Sequence, residues 1–343
     1  MTKMSGARFQ AALSDRYAFD RVLGRGGMGT VYLARDVKHG RQVAIKALSP
    51  EVIEAIGARH FLKEIRVTAQ LQHPHILPLL DSGEAAGCPY YVMPYLREGS
   101  LRDLLNEKTR LPIREALTII GDITGALEYA HGNNVVHCDI KPENILISAG
   151  HAVLADFGIA RAQRVQGRGR PWRAIVDSSG GTPAYMSPEQ AAGESALDAR
   201  SDEYSLACLL YEMLAGDAPF SGGSDQAVIA HKFTKPVPRL DKVIRRVPAG
   251  MALAIEKAMA LHPSRRFGSV TRFIHAIDAE LVAGHTVGLR SDRRWSESLG
   301  ILGYRLLARM RYGVGRSLAD SKRGLDIAAA ATTGRGLNQN TLG

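Results

Sequence analysis

The stretch HCDIKPEN, residues 137–144, is the most informative part of the sequence. It places three chemically distinct side chains, Asp139, Lys141 and Asn144, within six residues. A carboxylate can accept the proton of an attacking hydroxyl. A lysine two residues on can neutralise negative charge that develops in a transition state. A plain polar turn between a helix and a hairpin is the alternative, but it would not need these residue types at this spacing. The stretch therefore predicts an active site.

A second acid follows in the triplet DFG, residues 156–158, seventeen residues beyond Asp139. The intervening segments ILI (145–147) and AVL (152–154) have the composition of two short strands. Asp156 and Asn144 both offer hard oxygen ligands, which suit Mg²⁺ together with phosphate oxygens. Asp139 would then be left for proton transfer.

Upstream, GRGGMG at 24–29 fits the pattern G-x-G-x-x-G, which alone is weak evidence. A dinucleotide-binding loop should run from a strand into a helix. Here TVYLA (30–34) alternates like a strand, so the pattern favours a strand–turn–strand flap over phosphates. A flexible turn is the other interpretation.

The strand-like VAIK (43–46) ends in Lys46, and Glu64 lies on the helical pattern that follows. Lys46 could simply end its strand, and Glu64 could be a solvated acid paired with a neighbouring base. The functional interpretation is a lysine that contacts nucleotide phosphates and is oriented by the Glu64 carboxylate.

The surrounding patterns predict an α+β fold, with a small antiparallel β lobe carrying one helix and a larger, mainly helical lobe. The first lobe contains strand patterns over 17–47, one helix over 51–71 and two strands at 75–83 and 89–96. The second lobe contains the predicted helices 113–131, 201–214, 251–261 and 270–282.

The composition agrees with a folded protein. The chain has 343 residues, 45% hydrophobic and 23% charged, which excludes a wholly disordered protein. It has no run of about 18 uncharged apolar residues, and the N-terminal MTKMSGARFQ lacks the features of a secretory signal. Three scattered cysteines fit neither a disulfide framework nor a zinc site. We therefore expect a cytoplasmic protein.

The net charge of +10 by itself suggests an anionic partner. Residues 286–343 hold ten Lys or Arg against four Asp or Glu, so +6 lies in this tail and +4 in the rest. A basic amphipathic helix over 295–312 would contact an anionic membrane surface or a partner weakly; packing back on the helical lobe, or partial order, is the favoured alternative. Residues 313–343 have a disordered composition, and no nucleic acid is expected.

Together the motifs resemble a protein kinase, and specifically a bacterial eukaryotic-type (Hanks-type) serine/threonine kinase. The resemblance covers about 17–284. It implies a bilobal fold with an N-lobe at 17–93, a hinge at 94–97 and a C-lobe at 98–284, between an N-terminal extension (1–16) and the tail (285–343). It also implies transfer of the γ-phosphoryl group of ATP to Ser/Thr hydroxyls of proteins with Mg²⁺ or Mn²⁺, including autophosphorylation. Substrates and oligomeric state stay open, and an inactive regulatory pseudokinase is the alternative function.

The resemblance also assigns roles to residues. Asp139, Lys141, Lys46, Glu64 and Thr182 would be catalytic or position the catalytic groups, and Asn144 and Asp156 would bind the metal. Met93 would gate the adenine pocket, and Tyr95 belongs to the hinge. The nucleotide-binding set comprises Leu23, Gly24, Gly26, Gly29, Val31, Ala44, Lys46, Met93, Tyr95 and Leu146.

Two further roles follow from the resemblance, together with one departure from the family. Asp202 would brace the catalytic loop, and Arg266 would pair with Glu189. Cys138 replaces the usual arginine of the His-Arg-Asp triplet, and a thiol cannot form that arginine's charge-assisted bond to a phosphate. We therefore expect activity to be independent of phosphorylation at Ser178 and Ser179.

Overall fold

The computed structural model describes residues 6–157, 183–194 and 196–287, except for some side chains in 55–64 and those beyond 281. It divides the chain into the units Met1–Gly284 and His285–Gly343. The following concerns the first unit. Within the described residues, no helix is both long and apolar enough to cross a membrane.

The first part of the chain forms a five-stranded antiparallel sheet in the order β1-β2-β3-β5-β4. Its strands are β1 (Tyr17–Gly26), β2 (Gly29–Asp36), β3 (Arg41–Leu48), β4 (Asp81–Ala85) and β5 (Cys88–Pro94). In β3 the residues from Val43 to Leu48 are all buried, as expected for a central strand covered on both faces. The antiparallel β lobe is therefore confirmed.

A short N-terminal helix, α1 (Gly6–Ala11), lies within the region that the sequence marked only as an extension. Phe9 is 1% exposed and packs against Phe19, Tyr32 and Tyr90 of the sheet. At least this part of the extension therefore belongs to the core of the β lobe.

The single helix predicted over 51–71 is wrong, because the structure has two helices, α2 (Pro50–Ile56) and α3 (Ala58–Thr68). Gly57 separates them with φ +84°, a backbone conformation that glycine adopts without a steric penalty. Ser49 caps α2 by accepting a hydrogen bond from the backbone N–H of Val52.

The strand predicted at 75–83 is also largely wrong, because β4 begins only at Asp81. The preceding residues pair with the other lobe instead. The backbone N–H of Leu77 donates to Leu154 at 2.9 Å, and that of Leu154 donates to His75 at 2.9 Å. Tertiary pairing thus takes this apolar segment out of the sheet.

The rest of the unit is mainly helical, with one hairpin, β6 (Ile145–Ser148) and β7 (His151–Leu154). All four predicted helices are present, as α5 (Ile113–Gly132), α7 (Ala199–Ala215), α10 (Ala249–Ala258) and α11 (Val270–Val287). Three of the shorter helices begin at capping serines, Ser100, Ser187 and Ser224. The helices are α4 (Leu101–Lys108), α5 (Ile113–Gly132), α6 (Pro188–Ala191), α7 (Ala199–Ala215), α8 (Asp225–Thr234), α9 (Leu240–Val243), α10 (Ala249–Ala258) and α11 (Val270–Val287).

The centre of the helical lobe is α7, whose residues from Ser201 to Leu214 are all buried. A helix buried on all sides must satisfy its polar side chains within the protein. The acids at its start do so through contacts with distant loops: Asp202 accepts from the backbone of residues 137 and 138 in the candidate site, and Glu203 accepts from the backbone of residues 267 and 268.

Candidate active site

Residues 137–144 form the connection from α5 to β6, and they bring together two predicted catalytic residues, Asp139 and Lys141, and the predicted metal ligand Asn144. The Oδ2 atom of Asp139 lies 2.9 Å from Lys141 Nζ and accepts a hydrogen bond from Asn144 Nδ2 at 2.8 Å. Asn144 Nδ2 also donates to the Asp139 carbonyl at 2.7 Å. A 3₁₀ turn at Pro142–Asn144 folds Asn144 back towards Asp139. Although burial favours the neutral amine, Asp139 raises the pKa of Lys141 above its usual value.

Asp202 braces this loop, as the resemblance implies. Its Oδ1 accepts from the backbone N–H of Cys138 at 2.7 Å, and its Oδ2 accepts from that of His137 at 2.8 Å. His131 Nε2 lies 2.7 Å from Oδ2. Burial by itself raises the pKa of the Asp202 carboxyl, but His131 and these hydrogen bonds outweigh it and hold that pKa below its usual value.

The turn at Cys138 explains why such a brace is needed. Cys138 has φ +65°, an uncommon conformation for a residue other than glycine. Its N–H is held by Asp202, and its carbonyl accepts from Gln190 Nε2 at 2.7 Å. The thiol is buried, with the residue 6% exposed. Gln190 was not predicted from the sequence, since a polar residue in a short helix gives no sign of this contact.

A second cluster of polar side chains joins the β lobe to Asp156, the first residue of the DFG triplet. Lys46 Nζ in β3 lies 2.6 Å from Asp156 Oδ2, although 110 residues separate them. Both side chains are largely buried. Burial raises the pKa of the Asp156 carboxyl, but Lys46 and the other donors outweigh this, and the net shift is downward. Asp156 therefore stays ionised, as a metal ligand must.

Tyr91 in β5 is a site residue that the sequence did not suggest. Its hydroxyl donates a hydrogen bond to Asp156 Oδ1. Burial and the neighbouring Asp156 charge raise the Tyr91 pKa well above the usual value, so the hydroxyl remains a donor. A tyrosine in a buried strand looks like a core residue, so only the fold reveals this role.

The flap at 24–29 joins β1 to β2, which confirms the strand–turn–strand prediction. The surroundings of its glycines differ. Gly29 has φ +146°, and a Cβ there would lie 2.0 Å from the Ala47 carbonyl oxygen. A Cβ at Gly24 or Gly26 would meet no atom within 4 Å. Gly29 is therefore needed for packing, whereas the other two keep one face of the flap open.

The remaining predicted nucleotide-binding residues lie on strands of the five-stranded sheet, directly after β5, or on β6 of the other lobe. Val31 is paired with Lys46, and Ala44 with Met93, across adjacent strands. Leu23 is on β1, Tyr95 follows β5, and Leu146 on β6 bridges to Ser100. Met93 also lines a cavity of about 30 Å³ with Tyr91, Asp156 and Phe157.

Some predicted residues lie outside the described part of the chain. The backbone of Glu64 lies in α3, but its side chain is not described. Thr182, Ser178 and Ser179 fall in 158–182, and the predicted helix 295–312 falls in 288–343, neither of which is described. Their roles stay predictions.

Glu189 and Arg266 form the predicted pair. Two parallel contacts of 2.7 Å join the guanidinium and the carboxylate. Ser201 Oγ donates to the same carboxylate at 2.7 Å. This pair fastens α6 to the loop before the last helix of the helical lobe.

A family model for the protein kinase domain matches residues 17–295. The chain belongs to the protein kinase family. It is 40% identical over 280 residues to serine/threonine-protein kinase PknB of Mycobacterium tuberculosis, covering 80% of this chain and 43% of that relative. It is 39% identical over 280 residues to serine/threonine-protein kinase PknJ of the same species, covering 79% and 46%. These relatives place the chain with the bacterial Hanks-type serine/threonine kinases.

The kinase chain spans less than half the length of these relatives. A solved structure of Rad53 1-466 in complex with AMP-PNP matches with a TM-score of 0.63 and 24% identity, covering 77% of this chain and 66% of that one. This likeness bears on the fold, and it agrees with the antiparallel β lobe and helical lobe described above.

Proposed function

We propose that this kinase transfers the γ-phosphoryl group of ATP to serine or threonine hydroxyls of proteins. The observation that carries the proposal is the joint arrangement of the Asp139–Lys141–Asn144 cluster and the Lys46–Asp156 pair. Phosphoryl transfer depends mainly on positioning and electrostatic stabilisation, for which these groups are suited.

Asp139 would orient the substrate hydroxyl and accept its proton. Its Oδ2 is held by Lys141 and Asn144, so Oδ1 is the atom that we assign to the hydroxyl. Lys141 is within reach of the same region and would neutralise the charge on the transferred group. Lys46 would bind the α- and β-phosphates, with Glu64 as its predicted partner.

The family uses a divalent metal ion, and Asn144 and Asp156 fit Mg²⁺ or Mn²⁺. Asn144 uses its amide nitrogen on Asp139, which leaves its side-chain oxygen as a ligand. Asp156 supplies an ionised carboxylate. When bound, the metal supplies positive charge that offsets the phosphates.

Incubation with radiolabelled ATP, Mg²⁺ and a general protein substrate tests the proposal. We expect wild-type protein to incorporate phosphate, Asp139→Asn to lose incorporation, and Asp198→Asn, outside the site, to retain it. Equal incorporation by wild type and Asp139→Asn would reject the proposed roles. No incorporation by the folded wild type would favour the pseudokinase alternative.

We also propose that activity does not require phosphorylation of Ser178 or Ser179. The support is that Cys138, buried and held through its backbone, replaces the arginine that would bind the phosphate. The double variant Ser178→Ala/Ser179→Ala should therefore keep its rate within about tenfold, or about 1.4 kcal/mol, of wild type. A larger loss would contradict this. That the chain acts in the cytoplasm, and that its tail contacts membranes or partners, remain predictions.

A further inference from the structure

Three metal-ligating side chains meet away from the candidate active site. His75 comes from the segment that leads to β4, Asp122 from the middle of α5, and His151 begins β7. Each offers one donor atom, and these atoms lie within 4.8 Å of one another. His75 Nε2 is 3.3 Å from Asp122 Oδ1, and His151 Nδ1 is 3.0 Å from Asp122 Oδ2.

The three donors lie close to the spacing that a small ion requires. Zn²⁺ binds imidazole nitrogen and carboxylate oxygen at about 2.0–2.2 Å, so neighbouring ligands of a tetrahedral site lie about 3.3–3.6 Å apart. The 3.3 and 3.0 Å separations end on different oxygens of Asp122, Oδ1 and Oδ2, and with one atom from each residue the donors lie within 4.8 Å of one another, so a small movement of His151 is needed for all three to bind one ion. His75 and Asp122 are buried, whereas the His151 side chain is 51% exposed and free of the packing that would prevent a small adjustment.

Hydrogen bonds outside the three ligands hold them in place. His75 Nδ1 lies 2.8 Å from the Ala152 carbonyl, so Nδ1 donates, and Nε2, which faces Asp122, is the ring nitrogen that would bind an ion. Histidines that ligate metals usually donate their other ring N–H in this manner. The N–H of Ala152 donates to Asp122 Oδ2 at 3.1 Å. One residue of β7 thus orients both buried ligands.

We propose that His75, Asp122 and His151 bind a divalent transition-metal ion, Zn²⁺ being the best match, with water as the fourth ligand. Two imidazoles and one carboxylate form a donor set that Zn²⁺ uses and that Mg²⁺ and Ca²⁺ do not favour. The half-exposed His151 provides the entry side. The proposal does not depend on the proposed kinase activity.

The position of this site gives the ion a structural effect. His75 and Leu77 exchange backbone hydrogen bonds with Leu154, the last residue of β7. Asp156 follows two residues later. An ion held by the three ligands would therefore cross-link the segment before β4, α5 and the strand that leads to Asp156. Metal binding should accordingly raise the thermal unfolding temperature.

Zinc binding by the metal-stripped full chain tests the proposal, measured in excess Mg²⁺ by competition with a chromophoric chelator. We expect one Zn²⁺ per wild-type chain. Outer-shell partners alone change metal affinity about 10- to 100-fold, so His151→Gln, which removes a ligand, should weaken binding by at least about tenfold. Because His151 is half exposed, this variant should fold like wild type, which circular dichroism checks.

His39→Gln is the matched control. His39 is 46% exposed, and its Nδ1 lies 2.7 Å from the buried Asp36, so the variant also removes a half-exposed histidine paired with a buried aspartate. It should bind Zn²⁺ like wild type. Cobalt provides a second measurement, because four-coordinate Co²⁺ absorbs strongly in the visible range, and this band should be lost in His151→Gln.

Three results would overturn the proposal: no zinc binding by the wild type, equal affinity in wild type and His151→Gln, or an equal loss in His39→Gln. Each would mean that the three side chains form only a hydrogen-bonded His–Asp–His group.

Discussion

Two buried ion pairs join distant parts of this kinase, and they are built differently. Lys46 and Asp156 meet through one 2.6 Å contact, with side chains 8% and 17% exposed. Arg266 and Glu189 meet through two contacts of 2.7 Å, with side chains 0% and 4% exposed. The first pair lies at the candidate active site, and the second fastens α6 to the end of the helical lobe.

The two pairs differ in how many N–H donors of the cation are hydrogen-bonded within the protein. Each of the three guanidinium nitrogens of Arg266 is hydrogen-bonded: besides Glu189, they donate to the carbonyls of Ala260, Arg200 and Leu261. Lys46 has three donors, of which one contacts Asp156, and the sequence predicts Glu64 and phosphate oxygens as its further partners. The bidentate Arg266–Glu189 pair, with every guanidinium nitrogen hydrogen-bonded, is suited to stabilising the fold. The single contact between Lys46 and Asp156 leaves Lys46 able to bind phosphate oxygens instead.

Breaking the saturated pair should have the largest effect. Arg266→Ala leaves Glu189 buried without its cation and should lower the free energy of unfolding by about 3–5 kcal/mol. Urea denaturation measures this. Lys108→Ala is the control: its pair with Glu115 is exposed, and its loss should cost under about 1 kcal/mol. Equal effects of the two substitutions would contradict the assigned structural role.

Breaking the exchangeable pair should mainly affect activity. Lys46→Met removes a group assigned to the α- and β-phosphates of ATP and should lower the phosphorylation rate by about 10²- to 10³-fold. It should lower the free energy of unfolding less than Arg266→Ala does, because Tyr91 still donates to Asp156. Lys38→Met, on the exposed turn after β2, is the control. If Lys46→Met lost as much unfolding free energy as Arg266→Ala and kept its activity, the roles assigned to the two pairs would be contradicted.

Asp202 tests an intermediate case, a buried carboxylate that positions the catalytic loop. Asp202→Asn replaces an acceptor with a donor and should cost about 1–3 kcal/mol of unfolding free energy together with part of the activity. The folded pKa of Asp202 is lowered, so its contribution is present above the usual carboxyl pKa and is lost as pH falls. The variant should therefore lose less stability on acidification. Asp198→Asn, at the exposed start of α7, should change the acid dependence less, because the hydrogen bond from Arg200 lowers the pKa of a carboxyl that is half exposed to solvent.

The smallest effect is expected for a substitution of Glu203. Its carboxylate accepts hydrogen bonds from the backbone N–H groups of Phe267 and Gly268 at 2.8 and 3.0 Å. Burial raises its pKa from 4.5 to about 7, although these hydrogen bonds oppose the rise. A raised acid pKa gives stability below pH 4.5 that is lost as pH rises towards 7. Glu203→Gln should remove this loss of unfolding free energy, which is on the order of 1 kcal/mol. Urea denaturation at several pH values measures it. An unchanged slope would show that Glu203 does not titrate there.

Local patterns predicted the site to different degrees. Asp139, Lys141 and Asn144 were predictable because one turn connects them, and their spacing along the chain fixes their separation. The two errors in the β lobe arose where a single glycine divided a helix and where backbone pairing with Leu154 displaced a strand. Tyr91 and Gln190 were not predictable, because their partners come from remote segments.

Residue type and short-range spacing were enough to predict the chemical groups, the α+β layout and the kinase resemblance, and the resemblance also implied that Asp202 braces the catalytic loop and that Arg266 pairs with Glu189. Other partners followed from the fold alone: Lys46 with Asp156, Cys138 with Gln190, and His75 with Asp122. Such pairings depend on how helices and strands pack across tens of residues, and side-chain periodicity carries no information about that.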